Sequence, residues 1–98
     1  MAIVIKPKKA SLVKAQAKKK GQLNLKWKRD SKASGYEISY TVNGKKHTKL
    51  IKKNATVTLT VKNLKSKASC SVKIRAYTMV DGERVYGAYS SQKKLKLK

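Results

Sequence analysis

Cys70-Ser71-Val72-Lys73-Ile74-Arg75-Ala76 alternates strictly between apolar and polar residues. A period of two puts the apolar side chains on one face and the polar ones on the other, as an antiparallel strand with one buried face requires. The same beat recurs outward from this stretch. Leu23, Leu25 and Trp27 alternate with Asn24, Lys26 and Lys28. Tyr36, Ile38 and Tyr40 alternate with Glu37, Ser39 and Thr41, and Val57, Leu59 and Val61 with Thr56, Thr58 and Thr60. Leu95 and Leu97 alternate with Lys94, Lys96 and Lys98. The dominant period is two, not the 3.6 of a helix.

Turn residues fall between the runs. Asn43-Gly44 and Asp81-Gly82 are strong signals for two-residue hairpin loops. Lys20-Gly21 and Ser34-Gly35 punctuate the chain elsewhere, and Pro7 precedes the first long strand, where it interrupts no ladder. Seven strands are predicted, over about 10–17, 22–28, 35–42, 45–51, 55–61, 69–79 and 84–97, a number that reads as a two-sheet sandwich. Two-residue loops fix the pairing. Tyr40 is expected opposite His47 and Ile38 opposite Lys49, an inward lysine that guards an outer strand against aggregation. On the other hairpin, Ile74 is expected to face Tyr89 on the core side. Tyr77 is expected to face Tyr86, and Met79 to face Arg84, on the outer side.

Ninety-eight residues suit one domain, and 40% apolar residues exclude a disordered chain. The net charge is +22, from 26 Lys and Arg against four Asp and Glu. Small soluble domains usually carry a magnitude of roughly 2–8. Such a field attracts polyanions: nucleic acid, anionic lipid or an anionic wall polymer. All the bases but Arg29, Arg75 and Arg84 are lysines. Lysine acts as a point charge, whereas base readout favours the arginine fork, so the composition suits diffuse polyanion attraction. No apolar run approaches the ~20 residues of a membrane-spanning helix, so no membrane insertion is expected. The single cysteine forms no internal disulfide and leaves the compartment open. Met1-Ala2-Ile3-Val4-Ile5 lacks a charged leader and points to a module of a longer chain.

These residues together resemble a fibronectin type III domain. Trp27 stands on the second strand, and Gly35-Tyr36-Glu37-Ile38-Ser39-Tyr40 is similar to the third. Leu64 resembles the buried leucine after the fifth, Cys70 to Ala76 the sixth, and Gly87-Ala88-Tyr89-Ser90 the start of the last. The resemblance covers about residues 7–98, with 1–6 as an N-terminal extension. It implies an all-β, seven-stranded antiparallel immunoglobulin-like sandwich with sheets ABE and C′CFG. Two features depart from the pattern: Cys70 replaces the family's corner tyrosine, and Ser66-Lys67 its Pro-Gly. The Lys-rich style is similar to modules of secreted or cell-wall-associated proteins of Gram-positive bacteria.

Catalysis has little to use. The carboxylates are Asp30, Glu37, Asp81 and Glu83, and Asp81 and Glu83 flank a hairpin tip where solvent keeps them ordinary acids. His47 and Cys70 fall on different strands, too few for a zinc site or an activated thiol. No phosphate-binding glycine loop is present, and no cofactor or enzymatic activity is expected. Asn54-Ala55-Thr56 matches a glycosylation acceptor and serves equally as a surface turn. The expected function is a spacer or adhesion module that touches neighbouring domains of its parent chain and an anionic wall polymer or surface glycan. Lys18, Lys19, Lys20, Lys45, Lys46, Lys52 and Lys53 are the candidate polyanion contacts. Arg75, Tyr77, Met79, Arg84 and Tyr86 form a candidate docking patch for carbohydrate or protein. Nonspecific nucleic-acid binding is the alternative that charge alone suggests.

Overall fold

A computed structural model describes residues 9–98; Pro7 and the proposed extension over residues 1–6 lie outside them. Eight strands form: β1 (Leu12–Gln16), β2 (Leu23–Trp27), β3 (Gly35–Val42), β4 (Lys45–Ile51), β5 (Thr58–Val61), β6 (Ser69–Val80), β7 (Glu83–Tyr86) and β8 (Lys93–Lys96). One sheet has the order β1-β2-β5. The other runs β4-β3-β6-β7, with β8 also paired to β6. All pairs are antiparallel. This is the expected ABE and C′CFG sandwich, with its last strand in two pieces.

Period-two patterning places the core as expected. Leu23, Leu25 and Trp27 from β2 meet Tyr36 and Ile38 from β3 and Cys70, Val72, Ile74 and Ala76 from β6. Six side chains, Trp27, Tyr36, Leu23, Ile38, Ile74 and Val72, are essentially sealed from solvent. Burial of each aliphatic member is worth roughly 1.5–3 kcal/mol. The Trp27 and Tyr36 rings meet edge to face at 5.6 Å, an arrangement that adds to their area burial. Leu64 is half-buried at the core margin.

Both hairpin registers follow the turn chemistry. Asn43 and Gly44 have φ of 48° and 84°, and Asp81 and Gly82 have 49° and 79°. Two successive positive φ angles make a type I′ turn, whose twist matches the flanking strands. Tyr40 thus lies opposite His47 and Ile38 opposite Lys49. Tyr77 lies opposite Tyr86 and Met79 opposite Arg84.

The expected Ile74–Tyr89 core pair does not form. Ladder pairing of β7 stops at Tyr86, and β8 resumes with Cys70 opposite Leu95, a register moved by two residues. The intervening chain makes the contact differently. Ser90 N–H donates to the Ile74 carbonyl at 2.7 Å, and the Ile74 N–H donates to Ser90 Oγ at 3.0 Å. Ser90 therefore turns inward and Tyr89 swings to the outer face. A polar residue that can satisfy the β6 backbone displaces an aromatic from the interior.

Hydrogen bonds between loops define two ends along a 51 Å long axis. At one, the β1–β2 turn, the β5–β6 corner and the last residues converge: Leu64 N–H donates to Gly21 O, and Leu97 N–H to Ala68 O. Gly21 has φ of 71°, and a Cβ there would sit 2.9 Å from the Leu64 carbonyl, so the corner needs a glycine. This backbone contact, with Ala68 and Cys70 buried beneath, holds the corner that lacks the family's tyrosine. The β3–β4 hairpin joins this end, where Asn43 N–H donates to Ser69 O. At the other end lie the β2–β3 loop, the β4–β5 loop and the β6–β7 hairpin.

Candidate functional site

The four carboxylates are distributed unevenly. Asp30 lies in the β2–β3 loop, Glu37 near the start of β3, and Asp81 and Glu83 at the β6–β7 hairpin. All belong to one half of the long axis. The opposite end carries Lys18, Lys19, Lys20, Lys45, Lys46, Lys62, Lys65, Lys67 and Lys98 and no acid. The seven candidate polyanion contacts therefore do not form one surface. Lys18, Lys19, Lys20, Lys45 and Lys46 gather at the lysine end, whereas Lys52 and Lys53 follow β4 at the carboxylate end. The seven residues of β4, which begins at Lys45 and ends at Ile51, carry the chain from one end to the other and separate the two groups.

The outer face of the larger sheet divides in the same way. Its upper half brings together Arg75, Tyr77, Met79, Arg84 and Tyr86, the candidate docking patch. Tyr77 does alternate outward, but it is only 4% exposed. Gly35 is the reason: a Cβ at that position would overlap the Ile51 carbonyl and come within 2.7 Å of the Tyr77 hydroxyl. The ring fills the space a side chain would take and packs against Tyr86 at 6.1 Å. It is floor rather than contact surface.

Arg75 is also engaged. Its Nε and Nη2 donate to Glu37 Oε1 at 3.1 and 2.8 Å, and the Tyr89 hydroxyl donates to the same oxygen at 3.0 Å. Its guanidinium stacks 3.6 Å from the Tyr86 centroid and 4.7 Å from that of Tyr89, and Lys73 Nζ approaches the Tyr89 ring at 4.3 Å. Burial alone would raise the Glu37 pKa, but the donors Tyr89 and Arg75, with the arginine charge, outweigh it and hold it below the ordinary carboxylate value. Burial and the Glu37 carboxylate both push the Tyr86 and Tyr89 hydroxyls up. The result is a self-satisfied clamp across β3, β6 and the segment after β7. Of the predicted patch, Met79 and Arg84 remain exposed and Tyr86 half-buried.

Sequence reasoning missed Glu37, Lys73 and Tyr89 as members of this cluster. Glu37 and Arg75 face each other across the β3–β6 ladder. Their opposite charges on outward positions are the available signal, but only once those two distant strands are known to be neighbours.

A second network ties the loops of the carboxylate end. Tyr36 Oη accepts from the Asp30 N–H and donates to the Asn54 carbonyl, both at 2.8 Å. Asn54 Nδ2 donates to Ala33 O at 3.0 Å and Ser31 O at 3.3 Å. Arg29 Nη2 donates to Asn54 Oδ1 at 3.5 Å. The Asn54 amide is thus consumed by the fold, and a glycan on it would break these bonds.

His47 is exposed and stacks on Tyr40 at 5.2 Å, while Cys70 is buried, its thiol pKa raised by desolvation. Among the described residues no three of His, Cys, Asp or Glu gather as metal ligands.

The lower half of the outer face differs in kind. Lys46 lies beside Thr41, Thr41 beside Ser71, and Ser71 beside Lys94, each across a strand pair. Ser69 lies beside Lys96 in the next row. Thr41, Ser69, Ser71, Lys94 and Lys96 line a shallow, largely apolar depression of about 480 Å³ that also takes in Gly44, Cys70 and Leu95, and Lys46 lies beyond its lining.

No protein-family model and no curated protein matches the chain. Solved structures do. The FN1–FN3 domains of chicken CNTN1 are 15% identical with a TM-score of 0.70; the match covers 97% of this chain and 31% of that one. A structure described as a myokine is 15% identical over 93% of this chain and 97% of its own, with a TM-score of 0.76. The FN5 domain of Drosophila Lar is 19% identical over 93% and 96%, with a TM-score of 0.68. The chain spans about a third of the first of these. The similarity, the strand order and the two-sheet core agree: this chain has the fibronectin type III fold.

Proposed function

We propose that this domain is a non-catalytic spacer and adhesion module of a secreted or wall-associated bacterial surface protein, and that its lysine end rests on anionic wall polymer. One observation carries the reading: the carboxylates sit in one half of the molecule and the other half offers lysine alone. A uniform coat would serve solubility; a one-sided field orients the domain toward a polyanion. The geometry suits a spacer as well. Ser11, which accepts from the Lys28 N–H, and Lys98, which accepts from the Gly21 N–H, lie at opposite ends. Neighbours joined at these points are held apart along the long axis.

The test is co-sedimentation with purified Gram-positive cell walls at ~150 mM salt, where the Debye length is ~8 Å. The domain should be retained on intact walls and released when wall phosphodiester polymer is extracted. Equal retention on extracted walls, or preferential capture by duplex DNA under the same conditions, overturns the proposal.

A further inference from the structure

The hydroxyl-and-lysine rows on the lower outer face carry an inference that rests on the wall-polymer reading and sharpens it. We propose that Lys46, Thr41, Ser71 and Lys94, with Ser69 and Lys96 in the adjoining row, form a subsite for the phosphates of a linear, base-free phosphodiester polymer.

The order across the sheet is cation, hydroxyl, hydroxyl, cation, on strands β4, β3, β6 and β8. Strands in a sheet lie ~4.8 Å apart, so this row spans about 14 Å and can meet more than one phosphate of a chain laid across it. Ser and Thr hydroxyls donate to phosphate oxygens, and lysine ammonium groups supply compact charge at the flanks. Thr41, Ser69 and Ser71 share a shallow depression with Lys94 and Lys96 of β8, and Lys46 of β4 stands outside it as the ladder partner of Thr41. The β8 register is what builds it. Had β7 continued unbroken, Lys94 and Lys96 would not stand opposite Ser71 and Ser69.

Charge complementarity selects the occupant. Among the described residues the single ion pair is Arg75–Glu37 in the upper half, so the lower rows hold no carboxylate to neutralise their lysines. They also hold no arginine for reading base edges and no aromatic ring for stacking bases. Tyr77 is buried and the rings of Tyr86 and Tyr89 are taken by Arg75. What the rows recognise is phosphate and the hydroxyls of the units between.

The experiment measures the affinity of the domain for purified poly(glycerol phosphate) at ~150 mM salt. The triple variant Lys46→Gln, Lys94→Gln, Lys96→Gln should bind about tenfold more weakly, with a shallower salt slope, because each phosphate contact adds to that slope. A control with equal charge loss on the smaller sheet, Lys14→Gln, Lys26→Gln, Lys28→Gln, should stay within about threefold of the parent. The pair Thr41→Val, Ser71→Ala removes the hydroxyls and keeps every charge. It should weaken binding by about threefold with the salt slope unchanged. Thermal unfolding verifies that each variant is folded. Equal losses in the two lysine triples, or full binding by the hydroxyl pair, overturns the subsite while leaving polymer binding by the domain intact. A parent domain that ignores the polymer removes the wall-polymer reading itself. Displacement of the polymer by an equal phosphate concentration of duplex DNA overturns the choice of occupant.

Discussion

The carboxylate end and the lysine end of this sandwich are built from the same two sheets but held by different means. At the carboxylate end, side chains do the fastening. Tyr36 joins two loops through one hydroxyl, Asn54 bonds two carbonyls of the β2–β3 loop, and Glu37 gathers three donors. At the lysine end, backbone contacts at Gly21, Ala68 and Asn43 close the turns. Lysines there point outward with few fixed partners, Lys98 Nζ to the Lys18 carbonyl being one. Polar side chains in a low-dielectric setting strengthen one another, whereas like charges in water repel and must be spread. Stability therefore concentrates at one end, and the charge left over for a partner concentrates at the other.

Removing the central fastener should produce the largest effect. Tyr36→Phe leaves the ring in the core but strips the Asp30 N–H of its acceptor and the Asn54 carbonyl of its donor. Two stranded groups in a part-buried site should cost about 2 kcal/mol by chemical denaturation. The matching change at the lysine end is Asn43→Gly. It deletes the 3.1 Å bond from the Ser69 N–H to Asn43 Oδ1 and keeps a residue content with positive φ. Its cost should be below about 1 kcal/mol. Equal costs would dissolve the contrast between the ends.

Glu37→Gln tests the same contrast through pH. The Glu37 pKa is lower folded than unfolded, so its contribution is complete above the usual carboxylate value of about 4.5 and disappears as pH falls through the folded value. The variant should lose about 2 kcal/mol at pH 7, since it leaves Arg75 unpaired beside two rings. As the pH drops below about 4.5, the gap in melting temperature between parent and variant should narrow. A gap that is constant from pH 7 to pH 2.5 would mean that the clamp does not depend on the carboxylate charge.

What was legible in the sequence follows from the range of each signal. Alternation over Cys70–Ala76 and the dipeptides Asn43-Gly44 and Asp81-Gly82 are local codes, and they gave the core faces and both hairpin registers correctly. The two-residue shift after Tyr86 was not legible, because it depends on Ser90 finding the Ile74 backbone. That one event moved Tyr89 from the expected core into the clamp and set Lys94 and Lys96 beside the serines of β6. The burial of Tyr77 was hidden for a related reason. It needs Gly35, a residue on a strand paired only in three dimensions. The candidate site was readable as chemistry, lysines and outward aromatics, but its division into a satisfied half and an unsatisfied half was not.

The smallest effect concerns the lysines themselves. The parent domain should melt at higher temperature as salt rises, since the Debye length contracts from ~30 Å at 0.01 M to ~8 Å at 0.15 M and mutual repulsion is screened. If that repulsion is centred on the lysine end, where no acid offsets it, single neutral substitutions should report their location. Lys65→Gln, in the β5–β6 corner, should raise the low-salt melting temperature by ~1–2 °C. Lys52→Gln, in the loop near the Tyr36–Asn54 network, should change it less, because Asp30 and Glu37 lie in that half. The difference should vanish at 0.15 M salt. A larger gain from Lys52→Gln would place the electrostatic strain at the carboxylate end, and the one-sided field that orients the domain toward a polyanion would lose its physical basis.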